Sequence, residues 1–154
     1  MTPDQAESTY RRGLIAAQAG RWAEAQEMIA QAITARPGVP VWWATYGLVL
    51  ESQGDLPGAV QAFSGALNLD GDLAMAMNGL LEVAETLAAA GHADLAEGIY
   101  CRALALAPDT PAALVKASAL LLVQGVDPAK LLRRAALLQP ERHAPEHHAP
   151  ERHA

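Results

Sequence analysis

PVWWATYGLVLESQGDLPGAVQAFSGALNLDGDL, residues 40–73, reads as one complete helix–turn–helix unit. Its landmarks are Trp43, Gly47, Gly54, Ala59, Phe63, Ala66 and Leu69, and matching residue types recur before and after it. Each type has a geometric reason. Gly47 and Ala59 are small because two antiparallel helices cross there at close range. Trp43 and Phe63 fill the wider gaps on either side, and Gly54 lets the chain reverse between the helices. Recurrence over ~34 residues is the signature of a repeat array, in which each unit buries its apolar face on its neighbours.

Working outward, residues 6–39 form a first unit. Gly13, Gly20, Ala25 and Ala32 take the places of Gly47, Gly54, Ala59 and Ala66, and Pro37 closes the unit. Trp22 is expected to begin the apolar face of its second helix, followed by Ala25, Ile29 and Ala32. Thr9 stands where Trp43 would, with Tyr10 beside it. A third unit, residues 77–110, aligns Gly91 with Gly54 and leaves residues 74–76 as an insertion. Leu80, Ala84, Ala96, Tyr100, Ala103, Leu106 and Pro108 then fall into place. Three extra residues are nearly one helical turn, so the preceding helix is expected to lengthen and the superhelical twist to change there. A fourth unit, residues 111–140, keeps Leu114 and Gly125, with Asp127 as an N-cap and Pro128 at the first helical position. Residues 141–154, ERHAPEHHAPERHA, are a low-complexity tail whose only apolar residues besides proline are alanines; disorder is the expectation for it.

Composition agrees with an all-α chain, rich in alanine and leucine and nearly free of β-branched runs. The formal charge of −6 argues against general affinity for nucleic acid or an anionic membrane. That charge is uneven: −8 over residues 1–110, +3 over residues 111–140 and −1 in the tail. Cys101 is the single cysteine, which excludes an internal disulfide or a CxxC pair. The start, MTPDQAEST, lacks the basic and apolar segments of a signal peptide, and apolar runs are shorter than the ~20 residues a membrane span needs. A cytoplasmic location is the expectation.

These units resemble the tetratricopeptide-repeat family over roughly residues 6–140. The resemblance implies a right-handed superhelix of three or four units, whose first helices line a concave groove for peptides or proteins. The family serves as scaffold and adaptor, usually without chemistry of its own. Its groove positions fall on Glu7, Tyr10, Arg11, Leu14 and Gln18, then on Ala44, Thr45, Leu48, Glu51 and Ser52. They continue through Asn78, Leu81, Glu82, Glu85 and Ala89, and end on Val115, Lys116, Ala119 and Val123. One subset of the family grips the C-terminal carboxylate of chaperones with a lysine–asparagine–basic clamp. Here the corresponding positions read Tyr10, Leu14, Thr45, Asn78 and Glu82, so the clamp is absent and Glu82 would repel a carboxylate.

Catalytic signatures are missing: no nucleophile motif, glycine-rich phosphate loop or HExxH pair occurs. Cys101 and His92 read as a packing residue and a helix start. Trp43 holds the core position of its unit, which leaves Trp42 as the aromatic with a chance of touching a partner. The tail histidines His143, His147, His148 and His153 lack a thiolate and a preformed i,i+4 pair, so no metal or other cofactor is expected.

The reading is a non-enzymatic module that binds an apolar, basic protein segment through Tyr10, Arg11, Leu14, Leu48, Glu51, Leu81, Glu82, Glu85 and Lys116. Two alternatives stay open: a small secretion-type chaperone, or the repeat region of a larger glycosyltransferase-like enzyme. A second docking face is expected on the last helix, where Leu131, Leu132, Leu138, Arg133 and Arg134 lie with only the tail after them. Self-association, or partner docking, would occur there.

Overall fold

The computed structural model describes residues 1–107, together with Ala129 and Arg133, both helical. Six helices run through the described residues, without a strand: α1 (Pro3–Gln18), α2 (Trp22–Ala35), α3 (Pro40–Ser52), α4 (Leu56–Leu69), α5 (Ala74–Ala89) and α6 (Ala93–Leu106). The expected fourth unit and tail lie outside them, and with them Lys116, Leu131, Leu132, Arg134 and Leu138. Arg133 is exposed.

Three of the reversals are built the same way. Gly20, Gly54 and Gly91 end α1, α3 and α5 with φ of 75°, 79° and 88°, the left-handed region where a Cβ is strained. The next residue, Arg21, Asp55 or His92, donates its N–H back across the turn to the carbonyl of Ala16, Leu50 or Leu87 at 2.8–2.9 Å. That satisfies carbonyls the helix end would orphan. Helix starts are more varied. Thr2 and Gln5 form a reciprocal capping box ahead of α1, which therefore begins at Pro3, before the first unit as read from its repeat spacing. Asp55 caps α4 by accepting from the Gly58 N–H at 3.0 Å.

The insertion at residues 74–76 is absorbed differently from the expectation. α2, α4 and α6 each have 14 residues, so α4 is not lengthened. The extra turn starts α5 instead, which has 16 residues against 13 in α3. The reason is local: Asp70 Oδ1 accepts from the Asp72 N–H at 3.0 Å and closes a turn directly after α4. Proline then sets where α3 begins, whereas nothing stops α5 from starting early.

Each helix pair packs on the next, α2 against α3 and α4 against α5, with α3 also touching α5 and α4 touching α6. The buried residues gather into two clusters. One joins the first unit to Trp42 and Val49 of α3. The other runs from Ala44 to Ala107. At its centre is Phe63, fully buried between two glycines. A Cβ on Gly47 would meet ring atoms Cε1 at 2.6 Å and Cζ at 2.9 Å, and one on Gly79 would meet Cε2 at 2.8 Å and Cζ closer still. Both helices can therefore lie directly on the ring. Burying it contributes roughly 1.5–3 kcal/mol before packing effects.

The three tryptophans divide the core differently from the expectation, although Trp43 still packs against both clusters. Trp42 is 3% exposed and belongs to the core between the first two units, so it is not an outward contact. Trp43 is only half-buried, lying over Gly65 with its indole N–H donated to the Pro37 carbonyl at 2.8 Å. Trp22 sits exposed at the first position of α2, whose buried face is Ala25, Ile29, Ala32 and Ile33.

Candidate binding groove

First helices α1, α3 and α5 bring equivalent positions side by side. Tyr10, Ala44 and Leu81 make one row, and all three are buried. Tyr10 and Leu81 are thereby removed from the expected contact set. Leu81, 1% exposed, is part of the larger apolar cluster. Tyr10 is stacked on Trp42 with centroids 4.9 Å apart and planes at 20°. Its hydroxyl lies 2.9 Å from Thr45 Oγ1, which donates to the Val41 carbonyl at 2.9 Å, so Tyr10 is the donor to Thr45. Burial above all raises the Tyr10 pKa, opposed by the Thr45 bond and assisted by Glu7.

The next row, Leu14, Leu48 and Glu85, is open to different degrees. Leu14 is half-buried, Leu48 is 37% exposed and Glu85 is exposed. Val41, one residue after the start of α3, is also exposed and lies seven residues before Leu48, on the same helix face. Sequence reading left Val41 out, although its spacing from Leu48 was the available signal. Together they give α3 two outward apolar side chains.

Charge is divided along the array. At the α1 end Glu7 pairs with Arg11 at 3.2 Å and approaches Arg36 at 4.0 Å, while the Arg36 guanidinium lies 5.2 Å over the Trp42 ring. Those exposed pairs are worth little each, but they neutralise that end. At the other end α3 and α5 set acids against each other. Glu51 is half-buried, and burial first and the Glu82 carboxylate second push its pKa above the usual 4.5. Glu85 lies further along α5 and acts on the Tyr100 hydroxyl of α6, which burial and then Glu85 push up to about 12. The convergent pair is thus Glu51 with Glu82, beside Leu48. This arrangement can bind a cationic group and an apolar side chain together. Among the described residues, no group of three or more His, Cys, Asp and Glu could hold a metal ion, and no helix is long and apolar enough to cross a membrane.

No protein-family model and no curated protein matches this sequence. Solved structures do match in shape. The first TPR of Spaghetti (RPAP3), bound to the HSP90 peptide SRMEEVD, superposes with a TM-score of 0.60 at 17% identity, over 81% of this chain and 97% of that one. PcrH in complex with the chaperone binding region of PopB gives 0.55 at 25% identity, over 78% and 94%. The Yersinia enterocolitica type III secretion chaperone SycD, with a peptide of the translocator YopD, gives 0.54 at 16% identity, over 87% and 94%. The all-helical order, the three glycine reversals and these superpositions agree. The chain folds as a tetratricopeptide-repeat array.

Proposed function

We infer that the protein is a non-enzymatic interaction module whose first-helix face holds an extended or helical segment of a partner protein. Supporting this reading are the charge of Glu82 acting on Glu51 from the next unit and the exposed side chain of Leu48, one turn before Glu51 on α3. Two carboxylates in one concave surface focus a negative field that steers a Lys or Arg residue inward. Leu48, Val41 and the half-buried Leu14 supply apolar contact, and desolvated apolar anchors carry most of the binding energy in such interfaces. Fold neighbours solved with bound peptides support the class of function.

Pull-down with mass spectrometry identifies the partner, and charge reversal tests the site. Glu82→Lys together with Glu85→Lys should weaken that partner's binding while leaving helicity intact, and added salt should do the same to the unmodified chain. Unchanged affinity in the double variant would mean the acidic face is not the binding site. A second reading, a small chaperone for a secreted client, draws on the likeness to PcrH and SycD. It predicts that the pulled-down partner aggregates when made without this chain; a partner that is soluble by itself argues against it.

A further inference from the structure

The second helices carry a feature that the groove does not use. Between α4 and α6 lies a cleft of about 270 Å³, open to solvent and lined by Leu56, Val60, Leu87, Leu95 and Ile99. Val60 and Ile99 form its buried floor, whereas Leu95 is 58% exposed on its rim. The size decides what could enter. Pockets for small molecules run to about 300–1,000 Å³ and enclose most of their ligand. A smaller, open cleft walled by leucines suits one large apolar side chain from another protein.

One charge borders it. Arg102 is the single charged residue among the described lining, is exposed, and has no ion pair among the described residues. Its neighbours one turn away on α6 are Gly98, Ile99, Ala105 and Leu106, none of which can neutralise it. Gly98 is the other oddity. It stands inside α6, exposed, and a Cβ there would meet nothing within 4 Å among the described residues. Internal packing therefore gives no reason for glycine, which costs about 1 kcal/mol against alanine in a helix interior. Lying three residues after Leu95 and four before Arg102, it bares the backbone along the same edge of the cleft. A missing side chain there lets another backbone come close.

We propose that the α4–α6 cleft is a second docking site, separate from the groove, for a helical segment of a partner protein that carries a Leu, Ile, Phe or Met followed within one turn by Asp or Glu. The apolar side chain fills the cleft between Leu56 and Leu95, the carboxylate pairs with Arg102, and the partner's backbone passes over Gly98.

The test pans a displayed library of helical peptides on the full chain, after depletion on the Leu95→Lys, Arg102→Glu double variant. Enriched peptides should show the apolar–acidic pattern and lose roughly tenfold or more in affinity for Leu95→Lys. Against Arg102→Glu the selection should turn to Lys and Arg. Gly98→Ala gives a readout that a folding defect cannot imitate: thermal stability should rise while peptide affinity falls. The groove variant Glu82→Lys, Glu85→Lys should bind these peptides unchanged. The proposal fails if no peptide is enriched, if those enriched lack an acid, or if Gly98→Ala binds as well as the unmodified chain. It fails equally if the groove variant loses them. Sedimentation adds the remaining alternative: a dimer that Leu95→Lys dissociates would make a second copy the occupant and overturn the proposal.

Discussion

The two junctions between successive units solve the same packing problem with different chemistry. Where the first unit meets the second, the contact is aromatic and polar: Tyr10 stacks on Trp42 and donates to Thr45, under the Arg36 guanidinium. Where the second meets the third, it is apolar, with the Phe63 ring pressed between Gly47 and Gly79. The consequence reaches the groove. Thr45 and Glu82 occupy equivalent positions in their units. Thr45 is drawn into the first junction because Tyr10 reaches it, but opposite Glu82 the position of Tyr10 is taken by Ala44, which offers no polar atom. Glu82 therefore stays exposed and turns its charge on Glu51. A polar residue serves packing at one junction and is left exposed at the next, and the difference is set by its neighbour.

That contrast can be broken most forcefully at Phe63. Phe63→Ala should cost about 3–5 kcal/mol in urea unfolding, since it empties a site that two helices share. Gly79→Ala should cost about 1–3 kcal/mol by forcing a methyl into the ring. If the ring is truly the shared obstacle, Phe63→Leu should offset part of the Gly79→Ala loss, giving a clear coupling in the double-variant cycle. Additive losses would show that α5 rests on something else.

A gentler pair of variants removes the same atom from the first junction and from the apolar core of the third unit, and expects opposite signs. Tyr10→Phe should destabilise by about 0.5–1.5 kcal/mol, because a made hydrogen bond is lost; Thr45 keeps its bond to Val41, so no group is orphaned. Tyr100 stands where Phe63 does in the previous unit, and its buried hydroxyl has no hydrogen-bond partner among the described residues. Tyr100→Phe should therefore raise stability by about 1 kcal/mol. Equal effects in the two variants would erase the distinction between a hydrogen-bonded and an unpartnered buried hydroxyl.

The smallest effect concerns the acids. Glu51 has its folded pKa raised, by burial first and by Glu82 second, so the folded array holds that proton more tightly than the unfolded chain does. For a raised carboxyl, the stabilising contribution is present below the unfolded value near 4.5 and is lost as pH rises through the folded value. Glu51→Gln should slightly raise the urea midpoint at neutral pH and flatten its pH dependence over that window. Glu82→Gln should flatten it partly, because burial of Glu51 remains. No change in either slope would separate the two carboxylates.

Much of the fold was legible in residue spacing. Gly20, Gly54 and Gly91 marked the reversals because only a left-handed residue closes that turn cheaply, and alanines marked the crossings because helix approach is a local steric demand. The site was legible only in part. Family positions put Tyr10 and Leu81 on the first-helix face, but spacing does not tell which side chains packing claims, and both are core. The insertion at residues 74–76 was visible, yet its helix depended on the Asp70 side chain closing a turn first.

The sequence by itself determined the period, the helical class, the turns and the acidic character of the second and third units, because each follows from steric or electrostatic properties of residues near one another in the chain. Tertiary structure decided which tryptophan is buried, that one phenylalanine ring spaces three helices, and that the Glu82 charge acts on Glu51. Those outcomes depend on which side chain happens to lie opposite on a neighbouring helix, a relation between residues sixteen or more positions apart. A helical period puts a residue on a face; only the neighbouring helix determines whether that face is covered.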